Sequence, residues 1–332
     1  MNAAVAAAVG RGTLAVLIAG VIAAETSVAQ ETVPLRTRNL SPPIAIFGLP
    51  AWEVGLGDRR GEFAVATEIA NHNQLAHKGE EELVFDGETW RTTFSYRRRV
   101  GRRWSIGVEL PLYRHSGGFI DDFIDAWHSF FGMPDGNRNL RAEDQLRYLY
   151  SDRGSTPFLL TEPRSGVGDM QISVGRALGG PGGWLVRAVV KRPTGDAGRL
   201  TGSGGADVSI SAFKQHPGRF AGDPAGIYWG AGLLLMGEPD VFAARHEDRV
   251  LFGTFGGGWR PLPRLGLKAQ LDFHSRFYDS SLDEMGKDSI QVSVGGWLAF
   301  GERRRLSLAV SEDLIVDSAP DFSVYVEFNG DF

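Results

Sequence analysis

Apolar and polar residues alternate at period two along most of this chain. The clearest runs lie near its C-terminal end. In 289–300 (SIQVSVGGWLAF), Ile290, Val292, Val294, Leu298 and Phe300 share one face, and Gln291 and Ser293 take the other. In 304–313, Leu306, Leu308 and Val310 alternate with Ser307, Ala309 and Ser311. In 321–332, Phe322, Val324, Val326, Phe328 and Phe332 alternate with Ser323, Tyr325, Glu327, Asn329 and Asp331. Such alternation predicts strands with two unlike faces. Read back along the chain, it predicts twelve: 62–72, 89–99, 103–112, 168–178, 183–193, 205–215, 225–237, 249–260, 264–276, 289–300, 304–315 and 321–332.

The connections between them alternate in length. Short ones fall at 100–102, 179–182, 261–263 and 301–303. Longer ones fall at 73–88, 113–167, 194–204, 238–248, 277–288 and 316–320, and 216–224 is of middling length. An all-β transmembrane antiparallel barrel of about 12 strands (range 10–14) predicts this rhythm, with short periplasmic turns and long external loops. Lipid cannot satisfy an open sheet edge, so such a sheet must close. Arginines crowd the short-turn side, among them Arg97, Arg98, Arg99, Arg102, Arg103, Arg303 and Arg304. Acids such as Glu80, Glu81, Glu82, Glu238 and Asp240 crowd the other. Trp90, Trp104, Trp184 and Trp259 sit near strand ends, where interfacial girdles lie. A soluble β-sandwich or propeller also alternates, but it does not account for the aromatic last strand or the loop rhythm.

One segment breaks the pattern. In 117–138, Phe119, Ile120, Phe123, Ile124, Trp127, Phe130 and Phe131 fall at helical spacing, and Asp121, Asp122 and Asp125 take the opposite face. This predicts an amphipathic helix in external loop 113–167, with its apolar face buried on or in the barrel mouth. Phe119, Asp121, Asp122, Phe123, Asp125, Trp127 and His128 are therefore candidate gating residues.

The first residues read as a secretory leader. Arg11 precedes the apolar run 13–24, and Ser27-Val28-Ala29 supplies a small-x-small site, so cleavage is expected after Ala29. This implies export and residence in the outer membrane. The expected organisation is a signal peptide at 1–29, a periplasmic or plugging segment at 30–61 and a barrel at 62–332. Pro34, Pro42, Pro43 and Pro50 argue against a regular strand across 30–61.

Composition removes other chemistries. There is no cysteine, hence no disulfide, thiolate site or cysteine nucleophile. A net charge of −5 leaves no nucleic-acid footprint. Strand parity points Glu68, Arg91, Arg97, Glu109, Asp169, Arg187, Lys191, Asp207, Lys268, Asp272, His274 and Asp313 into the lumen. Mixed signs there mean either a sealed interior of paired charges or a polar, selective pathway. The Gly-rich run 194–207 lacks the Lys-Ser/Thr ending of a phosphate loop. Its Asp196 and Asp207 could hold a divalent cation. No cofactor is called for.

Five segments resemble the proteobacterial outer-membrane barrels grouped under domain of unknown function number 3187. They are RTRNLSPPIAIFGLP (36–50), the run 109–138 that contains the helix, GVGDMQISV (166–174), KRPTGDAGRLTGSGGAD (191–207) and EDLIVDSAPDF (312–322). The resemblance covers almost the whole mature chain. It implies a fold and a location and no activity. The 191–207 run is also similar to barrels grouped with aromatic-degradation pathways, which implies uptake.

Three functions follow as expectations. The first is a passive channel or uptake barrel for a small solute, gated by the 117–138 helix. The second is a structural or interaction barrel with a sealed lumen. The third is a lipid hydrolase using His274, Asp272 and a loop serine, or His115; adjacent His-Ser pairs on a strand point to opposite faces and cannot form a dyad. Expected partners are outer-membrane lipid, lipopolysaccharide and the barrel-assembly machinery, the last through the strand that ends in Phe332.

Overall fold

The computed structural model describes residues 30–118, 145–180, 182–314, 318–320 and 322–332. Residues 1–29, expected as a leader, and residues 119–138 of the expected loop helix, with its candidate gating residues Phe119 to His128, lie outside the described residues.

Fifteen strands are present among the described residues. They are β1 (Gly61–Lys78), β2 (Glu81–Val100), β3 (Trp104–Ser116), β4 (Arg147–Asp152), β5 (Ser155–Leu160), β6 (Arg164–Val167), β7 (Met170–Leu178), β8 (Trp184–Arg192), β9 (Asp207–Phe220), β10 (Asp223–Leu235), β11 (Arg249–Leu262), β12 (Leu265–His274), β13 (Ser289–Phe300), β14 (Arg304–Asp313) and β15 (Phe322–Asp331). Twelve of them form a closed antiparallel barrel in the order β1-β2-β3-β7-β8-β9-β10-β11-β12-β13-β14-β15. The last strand returns to the first, from Glu62↔Asp331 to Asn71↔Phe322.

Alternation decides which side chains face out. Val65, Phe94, Val108, Ile172, Val190, Ile210, Trp229, Phe255, Leu267, Val294, Leu308 and Val326 are exposed large apolar residues on successive strands of the barrel. A continuous apolar band of this size requires lipid. Facing them inward are buried polar side chains such as Gln171, Ser209, Ser211, Gln270, Ser293 and Ser311.

Three expected connections are folded instead. The 73–88 loop is a hairpin, with β1 and β2 in register from Gly61↔Arg98 to Lys78↔Glu81. In its upper half Leu75 is the one exposed large apolar residue, too few to set a lipid-face alternation. The 216–224 connection is the two-residue turn Ala221–Gly222, at φ 51° and 91°. Positive φ at both centres suits a tight hairpin, and β9 and β10 pair down to Phe220↔Asp223. The 113–167 loop contributes β4 and β5, joined through Arg153–Gly154, and β6. β4 pairs with β2 above the point where β3 ends, and β6 extends β7 along β3. Each of these strands is at most six residues long, too short for a clear period.

Candidate functional site: the segment inside the lumen

Residues 31–56 are buried almost without break. Their partners lie on strands all round the barrel, so the segment runs inside it. Its start is at the short-turn end, where Glu31 meets Arg260 at 2.8 Å and Thr32 Oγ1 donates to Gln215 Oε1 at 2.7 Å. The chain then climbs parallel to β12 in matched steps. Lys268 Nζ donates to the Val33 carbonyl. The Gln270 side chain accepts from Leu35 N at 2.9 Å and donates to Leu35 O at 3.0 Å. Thr37 Oγ1 lies 3.2 Å from Asp272 Oδ2, and Asn39 Nδ2 lies 2.8 Å from His274 Nε2. Both stretches are extended with period two, so every second residue of one meets every second residue of the other.

At the external end the chain reverses through one helical turn, α1 (Pro42–Ala45), whose prolines occupy its first positions. Tyr278 Oη donates to Pro43 O at 2.6 Å and Tyr113 Oη to Ala45 O at 2.8 Å. Burial raises the Tyr278 phenol well above its ordinary range, which keeps it a donor. The return limb follows β8. Lys191 Nζ donates to Ile46 O at 3.2 Å, and Arg187 Nη1 donates to Ala51 O at 2.6 Å. Gly48 N donates to Asp207 Oδ2 at 2.7 Å. The limb leaves the lumen at Gly57, where Arg99 Nη1 donates to the carbonyl at 2.7 Å, and joins β1.

The wall is shaped for this segment. A Cβ on Gly226 would lie 2.3 Å from Thr32 Cγ2, one on Gly230 2.5 Å from the Trp52 ring, and one on Gly258 2.5 Å from Glu31 O. These glycines give the inner chain room that side chains would fill.

Between the limbs lies a cluster of buried charges. Arg36 meets Glu109 at 2.6 Å, Glu53 at 3.6 Å and Glu327 at 3.8 Å. Arg38 pairs with the other Glu109 oxygen. Glu53, on the return limb, meets Arg187 at 3.1 Å and Arg97 at 3.3 Å. Arg97 also meets Glu62 at 2.9 Å. A second cluster joins Lys191 to Asp169 at 2.7 Å and to Asp207 at 3.2 Å. Asp207 is thus taken by Lys191, Gly48 and Gly237, whereas Asp196 pairs with Arg199 at 3.1 Å. The two carboxylates do not form a divalent-cation pair.

Of the residues predicted to face the lumen, Glu109, Asp169, Arg187, Lys191, Asp207, Lys268, Asp272 and His274 contact the inner segment or a partner of it. Arg91 lies over the Tyr113 ring at 5.5 Å. Asp313 Oδ2 accepts from Ala319 N at 3.3 Å, above the lumen charges. Sequence reasoning missed Arg36, Arg38 and Glu53, because no face could be assigned within 30–61.

The external mouth is covered by an apolar cap. Phe85, Tyr148, Tyr150, Phe158, Phe242, Phe277, Tyr278 and Met285 form one cluster with Phe47 of the inner segment. Arg245 clips it to β4, donating to Asp152 Oδ2 at 2.9 and 3.1 Å. Those bonds raise the Arg245 pKa above its ordinary value. At the opposite end a vestibule of about 1620 Å³ opens, lined by residues that include Arg59, Arg102, Arg103, Arg303, Trp184 and Gln215.

The two histidines considered for hydrolysis have fixed partners. His115 is fully buried, with Nδ1 3.1 Å from Thr89 Oγ1 and Nε2 3.0 Å from Leu200 O. His274 Nε2 meets Asn39, and its Nδ1 lies 3.0 Å from Ser275 O. Among the described residues, neither histidine is paired with a serine hydroxyl.

Among solved structures, an outer-membrane channel from Pseudomonas putida F1 aligns with a TM-score of 0.52 at 14% identity, covering 85% of this chain and 97% of that one. The toluene transporter TbuX of Ralstonia pickettii gives 0.37 at 10% identity, over 84% and 91%. The beta domain of the Bordetella autotransporter BrkA gives 0.43 at 14%, over 82% and 100%. The first likeness shows a shared outer-membrane barrel fold. No curated protein matches this sequence. The family model described as "protein of unknown function (DUF3187)" matches residues 13–331, and the chain belongs to that family.

Proposed function

We propose that this protein is a passive outer-membrane channel for a small polar solute, with residues 30–60 as its internal gate. The observation that carries the reading is how the lumen is filled. Hydrogen bonds and ion pairs hold the inner segment along β12 and β8, and water can replace such bonds as the segment shifts. A barrel meant only to be solid can be filled by its own wall side chains. Here the wall is notched with glycines to admit a separate chain, and the vestibule leads up to that chain from the periplasmic end. The mixed charges suit a polar cargo better than an apolar one. The barrel of the same fold from Pseudomonas putida F1 carries the name of a channel, which agrees with this reading.

Export with removal of residues 1–29, insertion through the strand ending in Phe332 and contact with lipopolysaccharide belong to the same proposal. The 117–138 segment is proposed as a second, external gate.

Single-channel conductance in planar bilayers tests this. The full mature chain is compared with chains lacking 30–56, lacking 117–138 and lacking both. The expected result is a closed or rarely open full chain and frequent openings once 30–56 is removed. If a chain lacking both segments inserts as a folded barrel and stays silent, the lumen is sealed by its wall, and the channel reading falls in favour of a structural barrel.

A further inference from the structure

Between the rising limb and the wall lies a second, much smaller hollow of about 20 Å³. Arg36 and Arg38 line it from the limb, and Glu68, Arg91, Thr93 and Ser95 line it from β1 and β2. Arg36 and Arg38 already share the Glu109 carboxylate, and Arg36 Nη1 donates to Ser95 Oγ at 3.0 Å. Glu68 accepts from Arg38 N at 3.3 Å.

Arg91 is held differently. It is only 5% exposed. Its Nε is buried with no hydrogen-bond partner. No ion pair joins it to a carboxylate among the described residues, and one face of its guanidinium covers the Tyr113 ring. An arginine cannot shed its proton to escape this position. A buried cation with no carboxylate in direct contact is costly. The cross-strand neighbour of Arg91, Glu68, accepts from Arg38 N instead, and space is left next to Arg91.

We infer that this hollow is a binding site for one monatomic anion, a halide such as chloride, held by Arg91 with the hydroxyl of Thr93. Size selects the class. A single water-sized particle needs roughly 10–15 Å³ of such space. One halide fits, and phosphate, sulfate or a carboxylate does not. Charge selects an anion over water, because Arg36 and Arg38 are already matched by Glu109, whereas Arg91 lines the hollow without an ion pair among the described residues. The ion would bridge the barrel wall to the inner segment, since Arg91 belongs to β2 and Arg36 and Arg38 to the rising limb. The inference stands on this hollow and does not depend on the chain conducting.

The test is crystallographic, on the full mature chain grown in chloride-free bromide solution. Data collected at the bromine absorption edge should show an anomalous peak within hydrogen-bonding distance of the Arg91 guanidinium, and the peak should be lost in Arg91→Met. In parallel, thermal unfolding is followed in sodium bromide and in sodium gluconate at equal ionic strength. Wild type should melt higher in bromide, by mass action on the bound ion, and the difference should vanish in Arg91→Met. Should that variant not fold, Thr93→Val is used and should reduce the bromide effect. A water without anomalous signal at this position, bromide peaks found only elsewhere, or equal melting in the two salts overturns the inference.

Discussion

The Gln270 side chain and the Leu35 backbone exchange two hydrogen bonds, as a neighbouring strand would, so a side-chain amide stands in for a ladder partner. Gln270 Oε1 also accepts from Tyr228 Oη at 2.8 Å. Replacing Gln270 with Leu leaves the Leu35 N–H and carbonyl and the Tyr228 hydroxyl short of partners in a buried place. Each such group costs about 1–3 kcal/mol. Gln270→Leu should therefore loosen the rising limb without opening the barrel. The expected outcome is unchanged heat-modifiable migration on gels and faster hydrogen exchange across 33–39. Unchanged exchange would mean that the amide contributes little to seating this limb.

Glu53 is the counter-charge shared by Arg187, Arg97 and Arg36. Glu53→Gln keeps its volume and removes the charge, leaving three buried arginines to the remaining carboxylates. Breaking a buried pair from one side costs about 3–5 kcal/mol. The inner segment should become sensitive to added protease, and in bilayers the open time should rise. Glu53→Gln with Arg187→Gln should recover part of the loss, and a double-mutant cycle reads the coupling directly. Purely additive effects would show that the two residues act separately.

These sites also mark what the sequence made legible. The inward stripe of β12, Lys268, Gln270, Asp272 and His274, follows from parity alone, and so do Arg187 and Lys191 on β8. Their partner, 235 positions upstream of β12, carries no comparable signal. Residues 33–39 bond mainly to side chains, so they form no ladder that sequence patterns reveal. Pro34 is harmless there because no strand asks for its missing N–H. The external hairpins failed to show for a different reason. Strand prediction relied on lipid-facing apolar residues, and β2 above Glu88, β4 and β5 are poor in exposed ones. The apolar runs Tyr148-Leu149-Tyr150 and Phe158-Leu159-Leu160 on either side of Arg153-Gly154 were the available clue.

Gly230 separates barrel stability from seating of the inner chain. A Cβ there would lie 2.5 Å from the Trp52 ring, which packs on Phe252 at 5.3 Å and on Phe213 at 6.0 Å. Valine suits a strand at position 230 but overfills this contact, a cost of about 1–3 kcal/mol. Gly230→Val should displace Trp52 into a wetter place. Its contribution to tryptophan fluorescence should shift to the red and become quenchable by iodide, while far-ultraviolet circular dichroism keeps its barrel signature. An unshifted spectrum would mean that the wall yields rather than the inner segment.

Whether the segment must move for solute to pass can be decided by tying it down. The chain has no cysteine, so an introduced pair has no competitor. A Cβ built at Gly55 lies 3.7 Å from Ala177 Cβ on β7, within the range that a disulfide spans without distortion. Gly55→Cys with Ala177→Cys should oxidise readily and staple the return limb to the wall at its exit from the lumen. The bond replaces no ion pair or hydrogen bond of the lumen cluster, so the resting structure should be unchanged. If the limb swings out to open the path, the oxidised protein should be silent in bilayers, and reduction should restore openings. If oxidised and reduced protein conduct alike, solute passes beside a stationary segment, and the gate must be sought in the apolar cap around Phe47 and Tyr278 instead.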